Sequence, residues 1–204
     1  MSGADRRRIL IAGATGVIGI RLVGLLTAAH ATVAGITRSP EKASSLAALG
    51  AVPVVCDVFD RDGLSAALQA FAPDTVLHQL TDLPDEHAKL AGARALNDRM
   101  RTEGTRNLLD AARAADVARF LAQSVAWKIP GAGGAAVAEH ERMVLAFGGV
   151  VLRYGQFHGP GTYYEHDPPD PPRVRVEHAA RVTVELLDAP SGIVEITDEA
   201  TTRL

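Results

Sequence analysis

The stretch Arg8-Ile9-Leu10-Ile11-Ala12-Gly13-Ala14-Thr15-Gly16-Val17-Ile18-Gly19 decides the fold. Its first five residues form a short apolar run closed by glycine, which reads as a buried strand. Aliphatic residues then recur at helical spacing over residues 17–29. Between strand and helix, each glycine has a mechanical task. Gly13 permits the tight turn out of the strand, Gly16 clears a side chain where backbone must approach a diphosphate, and Gly19 lets the helix pack closely on the sheet. The helix N-terminus offers free N–H groups and a partial positive charge to phosphates. With Thr15, Val17 and Ile18, these glycines make a candidate dinucleotide cradle. The competing reading is a bare strand–helix turn that binds nothing; the strand–turn–helix context favours binding.

Outward from this turn, strands and helices alternate. Strands are expected at residues 32–37, 52–56, 74–77, 119–122, 150–153 and 192–196, and helices at 40–49, around Leu64, Ala67, Leu68 and Phe71, at 86–115, 135–147 and 177–187. Ser39 is a plausible N-cap with Pro40 at the first helical position. Residues 128–134 read as a glycine-rich loop. Residues 159–173 hold five of the eleven prolines and read as an extended surface loop. This alternation predicts an α/β fold, a doubly wound parallel sheet of Rossmann-like type with a reduced C-terminal substrate region. Residues 1–155 would form the dinucleotide-binding part. Residues 156–204 would be a short substrate-side segment packed on it, in one compact domain overall.

Composition narrows the function classes. The 204 residues are 47% hydrophobic and 22% charged, an ordinary globular balance that excludes disorder over the whole length. A net charge of −3 argues against a nucleic-acid partner, and no apolar run approaches the length of a membrane span. The basic start MSGADRRR leads into a glycine-broken segment without a cleavage site, so no secretory signal is expected. Cys56 is the sole cysteine, so no internal disulfide can form and no metal site is expected. A cytoplasmic location is expected from this cysteine usage.

The tip of the second predicted strand, Ile36-Thr37-Arg38-Ser39, carries no acid to hold ribose hydroxyls. Arg38 can fork onto a phosphate and Ser39 can donate to it, which favours NADP(H) over NAD(H). Asp57 can accept from an adenine amino group with Val58 packed on the ring; a strand-end cap is the competing role. Gln79, Leu80 and Thr81, following His78, would lie beside the cofactor's ribose and phosphates. A buried, satisfied His78 is the alternative there.

Taken together, the motifs Gly13-Ala14-Thr15-Gly16-Val17-Ile18-Gly19, Cys56-Asp57-Val58, Thr75-Val76-Leu77-His78, Glu103-Gly104-Thr105-Arg106-Asn107-Leu108-Leu109, Arg119-Phe120-Leu121-Ala122-Gln123-Ser124 and residues 151–161 (VLRYGQFHGPG) stand in a recognisable order. The chain resembles the extended short-chain dehydrogenase/reductases, the NAD-dependent epimerase/dehydratase type. The resemblance implies NAD(P) across the carboxyl ends of the strands and hydride chemistry on a small carbonyl, hydroxyl or sugar-like substrate. It also implies a catalytic tyrosine with a lysine four residues later. The three tyrosines, Tyr154, Tyr163 and Tyr164, have no lysine at that spacing; counting back from Glu141, the pair falls on Gly133 and Val137. The candidates left for catalysis are Ser124, His158 and Tyr154, with Ser124 and Tyr154 also near the cofactor; the alternative alignment puts the family's catalytic hydroxyl one residue later, on Val125. His140, Glu141, Tyr163 and Tyr164 are further substitutes, and Trp127 and Lys128 could line the nicotinamide side. An oxidoreductase is the leading expectation. A cofactor-binding sensor or regulatory module and a non-redox isomerase or cyclase are the alternatives. The helices at 86–115 and 135–147 resemble elements that the family pairs into homodimers.

Overall fold

The computed structural model describes residues 7–84 and 87–204. β1 (Arg8–Ala12) is buried at every position after its first, as a strand covered on both faces must be. It leads to α1 (Gly19–Ala28) and β2 (Thr32–Thr37), then to a 3-10 turn, Pro40–Lys42, continued by α2 (Ala43–Ala48). β3 (Val52–Val55), α3 (Arg61–Phe71) and β4 (Thr75–His78) follow. α3 starts where it does because the Asp60 carboxylate accepts from the Gly63 amide at 3.1 Å.

The long helix expected at 86–115 is a composite: a 3-10 stretch His87–Ala93, α4 (Arg94–Arg99), a π-helical turn Met100–Gly104 and α5 (Thr105–Ala114). Its expected first residue, Glu86, lies outside the described residues, as do the first six residues of the basic start. β5 (Arg119–Val125), α6 (Gly131–Ala146) and β6 (Val150–Tyr154) come next. β7 (Gln156–His158) and β8 (Arg173–Arg175) pair with each other on either side of the proline-rich bridge. α7 (Val176–Glu185), β9 (Gly192–Ile196) and β10 (Thr201–Arg203) close the chain.

Eight strands form one sheet in the order β10-β9-β6-β5-β4-β1-β2-β3, parallel throughout except for the β9–β10 pair. Helices cover both faces, so the fold is the expected doubly wound α/β type. One core packs Leu22, Leu26, Leu152 and Ala180 beneath α1 and α7; the other packs Leu64, Leu68, Leu108 and Val144 beneath α3, α5 and α6. The register sets Ala12 level with Ile36 on one side and His78 on the other. The strand order reverses at β1, so the crevice that such sheets offer at the carboxyl ends of their strands falls beside β1, between β2 and β4.

Two sequence expectations change. The glycine-rich loop at 128–134 is already the first turn of α6 from Gly131 onward. A Cβ on Gly134 would stand 2.1 Å from the Ile129 carbonyl oxygen, so glycine serves close packing there. β10 carried no apolar signal because all three of its residues are exposed at the sheet edge.

Candidate cofactor crevice

The glycine turn after β1 has the geometry its spacing requires. Gly13 has φ +87°, and a Cβ there would stand 2.6 Å from the Gln79 carbonyl oxygen. A Cβ on Gly19 would stand 2.1 Å from the Gly13 carbonyl oxygen, whereas one on Gly16 would meet only that oxygen, at 3.3 Å. Gly13 and Gly19 therefore let backbone meet backbone, and Gly16 keeps the outer face of the turn bare. The first turn of α1 has no side-chain cap and no acidic residue. The Ile20, Arg21 and Leu22 amides already donate to the Gly16 and Ile18 carbonyls, so the positive field of the helix end, together with amides of the turn ahead of it, is what the cradle offers a dinucleotide's diphosphate. Val17 and Ile18 would serve through backbone, since Ile18 is a core residue and Val17 packs against the same core. Thr15 Oγ1 lies 3.4 Å from Thr37 Oγ1, joining the turn to β2.

The rim is polar. The Arg38 guanidinium forks onto Asp82 at 2.7 and 3.4 Å. The Ser39 amide donates to Thr37 Oγ1 at 3.2 Å. Asp57 accepts from the Phe59 amide at 2.9 Å, the strand-end cap that was the competing reading. The Val58 side chain is buried in the core, next to Gly104, and its carbonyl accepts from Asn107 Nδ2 at 3.1 Å. Gln79 is buried at the crevice floor with its amide in no hydrogen bond of regular geometry; Leu80 is half-buried and Thr81 exposed.

Beneath the crevice runs a buried relay. The Leu80 amide donates to His78 Nδ1 at 3.3 Å, so His78 Nε2–H donates to Thr105 Oγ1 at 2.9 Å. Thr105 in turn donates to His140 Nδ1 at 2.8 Å, and His140 Nε2–H donates to the Gln123 carbonyl at 3.0 Å. Every position is satisfied with both rings neutral. Burial, aided by the neighbouring Arg101 charge, lowers His140 to about 4; burial and His140 lower His78 well below 6.5. The unfolded chain therefore takes up protons that the folded chain refuses as pH falls from 6.5. Their stabilisation is complete above that value and is lost toward pH 4. At pH 5, His140 alone is expected to cost about 2 kcal/mol relative to pH 8, read as a fall in the denaturation midpoint.

The catalytic candidates occupy three different settings. Ser124 is buried and donates to Glu141 Oε1 at 2.6 Å, while Arg153 forks onto the same carboxylate at 2.8 and 2.5 Å. Tyr154 is in the core with its hydroxyl 2.7 Å from Thr183 Oγ1, and burial raises its pKa well above the ordinary phenol value. A phenol so placed holds its proton, which argues against proton transfer by Tyr154. His158 Nε2 lies 2.7 Å from Asp198 Oδ2. These three are not brought together around one point. Trp127, Lys128 and Tyr163 are exposed, and Tyr163 donates to the Pro84 carbonyl.

At the two positions inferred for the missing pair, Gly133 and Val137 are half-buried on α6. A Cβ on Gly133 would lie 3.7 Å from Asp98 Oδ1. Asp98 pairs at 3.7 Å with Arg101, which sits on the π-helical turn with a side chain only 17% exposed. Residues 9–134 match the NAD dependent epimerase/dehydratase family. The chain belongs to that family. The chain is 40% identical over 184 residues to a 3-diazoavenalumate denitrifying reductase of a Streptomyces species, an alignment covering 78% of this chain. The chain spans 59% of that relative's length. Its fold is similar to Thermus thermophilus UDP-glucose 4-epimerase in complex with NAD (TM-score 0.79, 20% identity, 96% of this chain and 79% of that one). It is similar also to Bordetella bronchiseptica WbmG in complex with NAD (TM-score 0.76, 18% identity, 100% and 76%).

The epimerase/dehydratase family depends on a nicotinamide dinucleotide, which agrees with the cradle. Sequence reasoning missed Asp82, Asn97, Asp98 and Arg101. No motif marks them; Asp82 reaches Arg38 only because β1 lies between β2 and β4. Among the described residues, no helix is long and apolar enough to cross a membrane, and no group of His, Cys, Asp and Glu could hold a metal ion.

Proposed function

We propose that the protein is an NADP(H)-dependent reductase of a small electrophile whose reduction draws no proton from a tyrosine. The observation that carries this reading is an intact glycine cradle on a chain with Gly133 and Val137 where the family's pair would fall. The diphosphate would rest on the amides of Thr15, Val17, Ile18 and Gly19, the adenosine side near Asp57, and the 2′-phosphate on Arg38 and Ser39. A nicotinamide bound there supplies two electrons as a hydride. A carbonyl that accepts hydride becomes an alkoxide and needs a proton. A diazonium carbon that accepts it breaks its C–N bond, N2 leaves with the bonding pair, and no proton is needed. The relative's name, a denitrifying reductase of a diazo compound, supports this second substrate class. The chain's own share is to bind and orient, through the cradle and the crevice floor around Gln79.

A carbonyl, hydroxyl or sugar-like substrate is the second reading, favoured by the family. Of the three catalytic candidates, it would rest on His158, because Ser124 is committed to Glu141 and Tyr154 is locked in the core. Incubation with NADPH and an aryldiazonium or a carbonyl panel separates the readings. Nicotinamide oxidation with N2 release supports the first; oxidation only with carbonyls supports the second. No consumption above buffer leaves a cofactor-binding sensor or regulatory module. A non-redox isomerase or cyclase predicts product without nicotinamide consumption.

Arg38→Ala is expected to weaken NADPH about tenfold or more, the worth of a charge-assisted hydrogen bond, while leaving NADH unchanged. Calorimetric titration with both cofactors checks it, and equal losses would remove the NADP(H) assignment. We further propose a cytoplasmic homodimer through α4–α5 and α6, where Leu96 is 54% exposed. Light scattering at twice the chain mass is the expected result, and a monomer would overturn it.

A further inference from the structure

The Arg38–Asp82 pair is placed where an ordinary surface ion pair would not be. β1 stands between β2 and β4, and Ala12 is level with Ile36 and His78. Arg38 lies just past Ile36, and Asp82 follows His78 by one turn of loop. Neighbouring strands are about 4.8 Å apart, so a link between the outer two must pass over the exit of the middle one. That exit is the Gly13–Gly19 turn, and the pair therefore spans the mouth of the crevice.

The two partners are unequal. The Asp82 side chain is 15% exposed, and its backbone amide donates to Asn97 Oδ1 at 3.1 Å, which ties it to α4. The Arg38 side chain is 59% exposed on a flexible stem. The movable member is Arg38. The hydrogen bond that Arg38 donates to Asp82 raises the Arg38 pKa, and the Asp57 charge adds to the rise, so two carboxylates already act on this guanidinium.

We propose that Asp82 is a specificity-determining residue of the crevice: its carboxylate holds Arg38 across the mouth and competes with the 2′-phosphate of NADP(H) for it. The inference rests on the cofactor reading above and extends it to a residue on the far side of the crevice. A 2′-phosphate must take the guanidinium from Asp82 before it can use the fork, so part of its binding energy offsets the broken pair. The 2′-hydroxyl of NAD(H) carries no charge and makes no such exchange. Asp82 thus narrows the margin between the two cofactors, and its removal widens it toward the phosphorylated one.

The test is Asp82→Asn, titrated with NADPH, NADH, adenosine 2′,5′-bisphosphate and adenosine 5′-monophosphate, with Asp82→Ser as a second variant and thermal melting to confirm folding. An exposed pair is individually weak, so NADPH and the bisphosphate are expected to bind about three- to fivefold tighter, with NADH and the monophosphate unchanged. In an Arg38→Ala background the same substitution should change nothing, because the contested group is gone. Tightening that persists there means simple repulsion and overturns the competition. Weaker or unchanged NADPH binding in Asp82→Asn overturns it too, and the cofactor reading then stands alone. If the wild-type chain binds NADH but not NADPH, or neither, the NADP(H) reading fails and takes the Asp82 role with it.

Discussion

Gly19→Ala is expected to destabilise the protein by about 3 kcal/mol and to abolish measurable dinucleotide binding. The methyl would stand 2.1 Å from the Gly13 carbonyl oxygen and 2.9 Å from the Ala14 Cα and carbonyl carbon. All three are backbone atoms, so no side chain can swing away. Either α1 lifts from the sheet or the turn deforms, and both move the amides that would face a diphosphate. Two companions separate packing from binding. A Cβ on Gly16 meets only the Gly13 oxygen at 3.3 Å, so Gly16→Ala should fold nearly as well as wild type yet bind NADPH at least about tenfold more weakly. A Cβ on Gly24 meets nothing within 4 Å, so Gly24→Ala on the same helix should gain about 0.5–1 kcal/mol. Chemical denaturation and calorimetry read all three. A Gly19→Ala protein with wild-type midpoint and affinity would refute this account of the turn.

That cradle was the most legible part of the sequence because its logic is local. A strand, a turn and a helix within twelve residues each obey short-range rules, and Gly13 and Gly19 sit where those rules put them. The doubly wound arrangement was legible for the same reason, since alternating buried strands and helices leave few ways to pack. Val58 shows where local reading stops: its place after β3 is legible, but its packing beside Gly104 of the composite helix is set by residues more than forty positions away. Tyr154 had the chemistry of a proton donor, and only its packing against α7 shows that the proton is locked in. His78 was read with a buried alternative; the relay through Thr105 to His140 is that alternative, and its partners lie 27 and 35 residues apart in pairs. Asp82 was invisible because its meaning is the distance to Arg38, 44 residues away. Local motifs write the cradle; the rim and the buried networks are written by the sheet order.

Arg153→Met tests one such network, with an expected cost of about 3–5 kcal/mol at pH 8. The Glu141 side chain is 8% exposed and carries two hydrogen bonds from Arg153 and one from Ser124. Burial pushes its pKa up, but the bonds from Arg153 and Ser124 outweigh that and hold it below the usual carboxylate value. In the wild type, this group's stabilisation is present above the unfolded pKa and is lost as pH falls through the lowered one. Without Arg153 the sign reverses. Burial then dominates, the folded chain favours the protonated acid, and the variant loses stability as pH rises from the unfolded carboxylate value through the raised one. The deficit against wild type should therefore be smaller at pH 5 than at pH 8, and adding Glu141→Gln should recover most of it by removing the stranded charge. Glu141 also faces His140, whose pKa its charge raises, so the relay's share of the pH dependence is read from the Glu141→Gln single variant and subtracted. Denaturation of the single and double variants at the two pH values decides it: a deficit equal at both would mean that Arg153 acts through packing alone, and that Ser124 is not held by a charged Glu141.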